Sequence, residues 1–308
     1  MALTFLLAVL AACANATSSV LQRKANRRVP RSKNLGLRLI WSLLHEPVWF
    51  GGILAICFGF VLQAAALSMG ELSAVEPILV LELPFTLILA ARVFQARLGR
   101  PEWGAVAAMT AGLAGLLYFL SPSAGRPETI SWHVWVAGVG LNLAAVGALV
   151  WLGRRGHLGG AGRENSAFRA AMLGVAAGAQ FGLTAALMKG MTDTYAQGFA
   201  ALFTGWQLYA MIASGLLGMF VLQSAMNAGR LIAAQPGLTL SDPVVSVMWG
   251  VLAFGERVRG GWFAVLALAS AAAIGAGVVV LARSPLLSDE SAGPQEERAS
   301  GHAFAPHA

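Results

Sequence analysis

Two acidic residues lie in the middle of long apolar runs, each close to a proline: Glu82-Leu83-Pro84 and Asp242-Pro243. Each is about the eleventh residue of its run, which puts it near the midplane of a hydrocarbon layer ~30 Å thick. An ionisable side chain there costs several kcal/mol, so it is read first as a functional group. Glu76-Pro77 and Gln235-Pro236 stand at matching places earlier in the same two runs. Gln235 and Asp242 are seven residues apart and share a helix face. Glu76 and Glu82 are six apart and align less well, unless the backbone between them is irregular.

Proline removes a backbone N–H and frees the carbonyl four residues before it. Pro77, Pro84, Pro236 and Pro243 would therefore act as hinges and expose oxygens beside the acids. Gln63 and Gln223 lie in a repeated tetrapeptide, described below, and supply amides. Glu82, Asp242, Glu76, Gln63, Gln223 and Gln235 form the candidate binding set: hard oxygen ligands suited to a cation or a proton. The competing reading is that the prolines only bend helices and the acids pair with nearby hydroxyls and amides. Asn142 and Gln180 read as interhelical hydrogen-bonding residues, and Gly174, Gly178 and Gly182 as a small-residue packing stripe. His45, His133, His157, His302 and His307 form no pair with metal-ligand spacing, so no metal site is assigned. The chain has no GxSxG, no phosphate-binding loop and no dinucleotide fingerprint after a strand. It reads as a non-enzyme with no cofactor.

The elements that must position these residues follow from composition. Charged residues make up 11% of the 308, against roughly 25% in a soluble domain. Apolar residues make up 57%, too many for a soluble chain of this size to cover with polar surface. The apolar runs are about 20 residues long and lack dyad alternation, so they read as helices in a bilayer rather than as barrel strands. The net charge of +7 reflects Lys and Arg between the runs rather than nucleic-acid binding. Cys13 and Cys57 lie inside apolar runs as packed thiols. Helices are expected over residues 2–21, 47–68, 72–93, 102–120, 132–153, 168–189, 201–226, 232–254 and 262–282, with 190–200 free to extend either neighbour. The first run has no basic segment before it and is read as a retained helix, not a cleaved signal.

The chain is written twice. Phe60-Val61-Leu62-Gln63 returns as Phe220-Val221-Leu222-Gln223, and a constant offset of 159 then pairs Gly70 with Gly229, Pro77 with Pro236, Pro84 with Pro243 and Trp103 with Trp262. Four helices per copy (residues 1–120 and 168–283) and one linking helix (132–153) make nine, and the single extra crossing inverts the second copy. Seventeen of the 21 Lys and Arg fall in alternate segments that include 22–46 and the C-terminus, leaving 4 in the others. The positive-inside rule then puts the N-terminus outside and the C-terminus in the cytoplasm of a plasma-membrane protein. Residues 284–308 read as a disordered cytoplasmic tail. The basic 22–46 loop, amphipathic around Leu37, Leu39, Ile40 and Trp41, is a candidate to lie on the inner leaflet.

This layout resembles the drug/metabolite transporter superfamily of EamA type, in which a helix with a mid-span acid-Pro ends in Gly-Glu. Asp242-Pro243 and Gly255-Glu256 match in the second copy. Glu82-Leu83-Pro84 matches loosely in the first, and Gln95-Ala96 departs from Gly-Glu. Nine spans with an outside N-terminus are similar to the NIPA-type branch, whose end-of-first-helix segment Val20-Leu21-Gln22-Arg23-Lys24 resembles. That resemblance implies an inverted-repeat transporter and points to magnesium or another divalent cation. The alternatives are proton-coupled export of a small amphipathic organic metabolite, and a non-transporting membrane scaffold. The expected partners are a small solute or cation and the lipid bilayer, with a homodimer as candidate assembly. An inverted repeat predicts that single cysteines in 97–101 and 255–261 react with impermeant maleimide from opposite sides of the membrane; labelling from one side would remove the inversion.

Overall fold

The computed structural model describes residues 2–28, 47–95, 97–125, 130–155, 163–195, 198–228 and 231–284. They form eleven helices: α1 Ala2–Arg28, α2 Pro47–Met69, α3 Leu72–Leu79, α4 Glu82–Val93, α5 Arg100–Leu120, α6 Trp132–Arg155, α7 Arg163–Tyr195, α8 Phe199–Thr204, α9 Trp206–Ala228, α10 Leu231–Leu252 and α11 Trp262–Ala282. There is no β-strand among the described residues, only the isolated bridge Ser123–Arg257. Eight stretches are long and apolar enough to cross a membrane: α1 through Ala25, α2, the α3–α4 pair, α5, α6, α7 from Ser166, α9 and α11. The chain is a multi-pass membrane protein. At 22 residues α10 is as long as these, but Gln235, Pro236, Asp242 and Pro243 keep it out of that set.

The helices lie close to where the apolar runs put them, with informative departures. Helix α1 runs to Arg28, seven residues past the expected end at 21, taking in basic residues read as loop. The rest of the basic segment, 29–46, lies outside the described residues, and so does the proposed tail after Ser284. Helix α7 absorbs much of 190–200 by continuing to Tyr195, and the six-residue α8 begins at Phe199.

The expected helix 72–93 is broken at Val80-Leu81. In a regular helix the Val80 carbonyl would accept from residue 84, but Pro84 has no N–H. Leu83 N turns back to Val80 O instead, at 3.2 Å, and the preceding bonds Val80 N→Pro77 O and Leu81 N→Ile78 O also span three residues. The backbone between Glu76 and Glu82 is thus irregular, the condition under which two acids six apart can face one space. The equivalent α10 stays continuous despite Pro236 and Pro243. There Ser241 Oγ donates to Gly237 O at 2.7 Å and, across to α7, to Val175 O at 2.9 Å.

Packing follows the small residues. Helix α1 runs along α2, α7 runs along both α9 and α10, and α5 runs along α11. The stripe Gly174, Gly178 and Gly182 on α7 lies directly on the α10 backbone at Ala234, Leu238 and Asp242. Gly112 and Gly277 let α5 and α11 approach in the same way, Gly112 against Ser270 O and Gly277 against Ala105 O and Met109. This is the small-residue packing expected where lipid offers no hydrophobic drive between helices.

Contacts sort the connections into two ends. Thr4 meets Met69 and Gly70, Lys189 meets Gly70, Gly190 lies against Trp135, Trp132 against Trp206, and Ser123 pairs with Arg257. Residues 70–71, 121–125, 130–135, 189–195, 198–206 and 253–259 therefore share one end of the bundle. At the other end Ser284 Oγ donates to Glu102 Oε1 at 3.2 Å. Helices α5 and α11 are thus antiparallel.

Gly178→Val would push a branched side chain into Leu238 O and part α7 from α10. The expected cost is at least about 1–3 kcal/mol, read as a lower unfolding midpoint in detergent. An unchanged midpoint would mean the two backbones do not touch there.

Candidate functional site

A cavity of about 450 Å³ opens between α1, α2, the α3–α4 break, α7 and α10. Five of the six candidate binding residues line it: Glu76, Glu82, Asp242, Gln63 and Gln235. The sixth, Gln223, is exposed on α9 and is not among the lining residues. Of the four prolines, Pro243 borders the cavity, while Pro77 and Pro84 are buried and Pro236 lies on α10 one residue from Gln235.

The α3–α4 break explains how the first half brings in two acids. Glu76 sits on α3, seven of whose eight residues are buried, and Glu82 starts α4 on the far side of the turn. Gln63 Nε2 on α2 donates to Glu76 Oε1 at 2.9 Å. Ser19 Oγ on α1 donates to Glu82 Oε1 at 3.5 Å, and Asn15 one turn earlier is its second hydrogen-bond donor. Asp242 comes from the second half on α10, where Ser246 is the hydroxyl that faces it. Gln235 Nε2 points along α10 to Thr239 Oγ1 at 3.4 Å. Glu76 and Glu82 both stand near enough to act on Asp242 as like charges.

Among the described residues that line it there is no Lys or Arg. The field inside is therefore set by carboxylates and by the oxygen ends of amides and hydroxyls, which favours a positive guest. The walls between these groups are apolar, with Ile56, Phe60, Leu79, Phe181, Met188 and Leu238. Among the described residues no set of three His, Cys, Asp or Glu side chains is arranged to hold a metal ion. The volume falls in the range of small-molecule sites, roughly 300–1,000 Å³.

Three participants were not singled out in the sequence: Ser19, Thr184 and Thr239. Asn15 is a fourth, one amide among several in the apolar runs. The signal available for Asn15 and Ser19 is their spacing of four, which puts both on one face of α1. Gly59 of α2 lies directly against the Asn15 side chain, where any larger residue would displace it. Asn142 and Gln180 behave as interhelical residues. Asn142 Nδ2 donates to Gln180 Oε1 at 3.3 Å, and Gln180 Nε2 donates to Ser214 Oγ at 2.8 Å, joining α6, α7 and α9. Thr184 touches both this chain of hydrogen bonds and the cavity, through Ser214 at 2.9 Å.

A protein of Corynebacterium glutamicum, described as uncharacterized, is 32% identical to this chain over 261 residues, which cover 82% of this chain and 86% of that one. The chain belongs to that protein's family. No family model matches it, and no solved structure matches at a significant level.

Gln180→Leu removes two interhelical hydrogen bonds at about 0.6 kcal/mol each. A loss of about 1 kcal/mol of stability is expected in a denaturation series in mixed micelles. A loss of several kcal/mol would show that this network does more than join three helices.

Proposed function

We propose that the protein is a membrane transporter that carries a small cationic solute through the carboxylate-lined cavity. The observation that carries this reading is the convergence of Glu76 and Glu82 from the first half with Asp242 from the second, in one space with no basic residue among its described lining. Carboxylates buried this way in a membrane protein mark solute or ion pathways. Helix α10 is the ninth crossing in this proposal, its polar residues turned to the cavity and to α7 rather than to lipid. The two halves are inverted repeats, α1–α5 answering α7 and α9–α11 with α6 as link. The matched packing of α1 on α2 and α7 on α9, and of α5 on α11, supports that arrangement, as does the offset of 159 in sequence. The N-terminus is outside and the C-terminus cytoplasmic in the plasma membrane, on the distribution of Lys and Arg.

The apolar and aromatic wall favours a cation that carries carbon, such as a protonated amine, exchanged for protons held on the acids. Phe60 and Phe181 offer ring faces for such a guest. Magnesium is the second reading. It rests on the resemblance to the NIPA-type branch and on the oxygen-rich set Glu76, Glu82, Asp242, Gln63 and Gln235. In that case water must complete the ion's shell, because magnesium keeps several waters.

Reconstituted proteoliposomes separate these readings. Uptake of organic amine driven by an outward proton gradient, reduced at least tenfold by Asp242→Asn and by Glu82→Gln, is the expected result. Magnesium flux with the same sensitivity and no amine uptake selects the second reading. If neither solute moves under any gradient and both variants lose only stability, the protein is a scaffold and the transport reading is wrong.

A further inference from the structure

Outside the cavity, the most heavily bonded polar cluster lies at one end of the bundle, across the two halves. Glu256, buried in the connection between α10 and α11, reaches the start of α3 in the first half. Its Oε1 accepts from Leu72 N at 2.7 Å, its Oε2 from Ser73 N at 2.9 Å, and the Ser73 hydroxyl donates to the same Oε2. Lys189 of α7 stands 3.8 Å from Glu256 Oε1 and donates to the last carbonyls of α2, Gly70 O at 2.6 Å and Leu67 O at 3.3 Å. The second half thus places an anion on the positive N-terminus of α3 and a cation on the negative C-terminus of α2, each complementing the helix dipole it meets. Gly250 leaves the space that the Glu256 carboxylate and the Ser73 hydroxyl occupy. Lys189 also lies over the Phe254 ring at 5.5 Å, and Phe254 packs with Trp135, Trp206 and Trp249 in a connected aromatic group at the same end.

This cluster sits just past the edge of the cavity. Met188, the neighbour of Lys189, lines the cavity, and Glu76 lies three residues after Ser73 on the same short helix. Helix α3 has eight residues, is held at its start by Glu256 and is separated from α4 by the turn at Val80-Leu81. Glu76 lies one helical turn from Ser73 on this short element. The offset of 159 does not repeat this carboxylate in the other half. At the offset of 159, Glu256 corresponds to Arg97, which is exposed, and Ser73 corresponds to Ile232. Arg23 over the Phe94 ring at 5.6 Å does answer Lys189 over Phe254, so the stacked base is duplicated.

We infer that Glu256, Lys189 and Ser73 form a latch that closes one mouth of the cavity, and that α3 is the moving gate. The inference rests on the transport reading above and adds where the pathway closes and which helix opens it. Release of Glu256 from the start of α3 frees the turn at Gly70-Glu71 and opens the cavity to that end. This latch holds the resting protein closed at the Glu256 end.

The test uses the full chain in proteoliposomes with Cys13 and Cys57, its two cysteines, both replaced by alanine and with one reporter, Thr184→Cys, in the cavity wall. A membrane-impermeant maleimide is added from the side that carries the 255–261 connection. Slow labelling is expected in this parent, with an increase of at least tenfold on Glu256→Ala or Lys189→Met. Ser73→Ala, which removes one hydrogen bond and keeps the charges, is expected to give an intermediate rate and serves if Glu256→Ala does not assemble. Labelling at the parent rate in the folded variants, with only the unfolding midpoint lowered, overturns the latch and leaves a purely structural cluster. The assay reads access rather than flux. Faster labelling in a protein that moves no solute would keep the gate and sink the transport reading, whereas unchanged labelling with intact flux would sink only the gate.

Discussion

Hydrocarbon offers a carboxylate nothing, and that constraint organises this protein. Glu76, Glu82 and Asp242 each lie within or beside apolar helices and must be enclosed by protein. Enclosure takes residues from both halves: Gln63 on α2 for Glu76, Asn15 and Ser19 on α1 for Glu82, and the close junction of α7 with α10 for Asp242. Each acid is enclosed by groups of its own half, and the two halves meet at the cavity they line. Removing one acid would relieve repulsion among the three, while removing one donor would leave a carboxylate short of a partner.

Glycine and proline divide the work of placing these groups. The stripe Gly174, Gly178 and Gly182 brings α10 onto α7, backbone against side, and so fixes the depth at which Asp242 enters. Pro84 acts in the opposite sense by breaking a helix. It denies Val80 a partner, and the chain answers with a tight turn that lets Glu76 and Glu82 reach one space from two short helices. The duplicated Pro243 leaves α10 whole. The same sequence signal thus gave a break in one half and a continuous helix in the other, with Ser241 tying α10 to Val175 beside the second proline.

Much of this was legible in the sequence because lipid makes hydropathy and turns informative. Spans such as 47–69, 132–155 and 262–282 start and stop within two residues of the limits the apolar runs imply. The acids were visible as charge in an apolar setting, and Gln63 and Gln235 as amides in the same setting. Gln223 shows where that logic fails: it repeats Gln63 in sequence, yet its helix turns it outward, because copies that match in letters need not match in facing. Asn15 and Ser19 were obscure for the converse reason, since small polar residues are common in packed helices and only the neighbour across the gap gives them meaning. Glu256 was legible as part of a Gly-Glu pair but not as a cap, because its partners at Leu72 and Ser73 are 184 and 183 residues away.

Helix α10 has a consequence for how the chain is built. The segment that carries Asp242 is the one long helix outside the set apolar enough to cross a membrane by itself. It gains less from lipid than its neighbours do, so as the proposed ninth crossing it would depend on α7, whose glycines accept its backbone and whose Val175 carbonyl takes the Ser241 hydroxyl. Biogenesis and the proposed binding would then draw on one surface: the polar strip that makes the helix a poor passenger alone is the strip that lines the cavity.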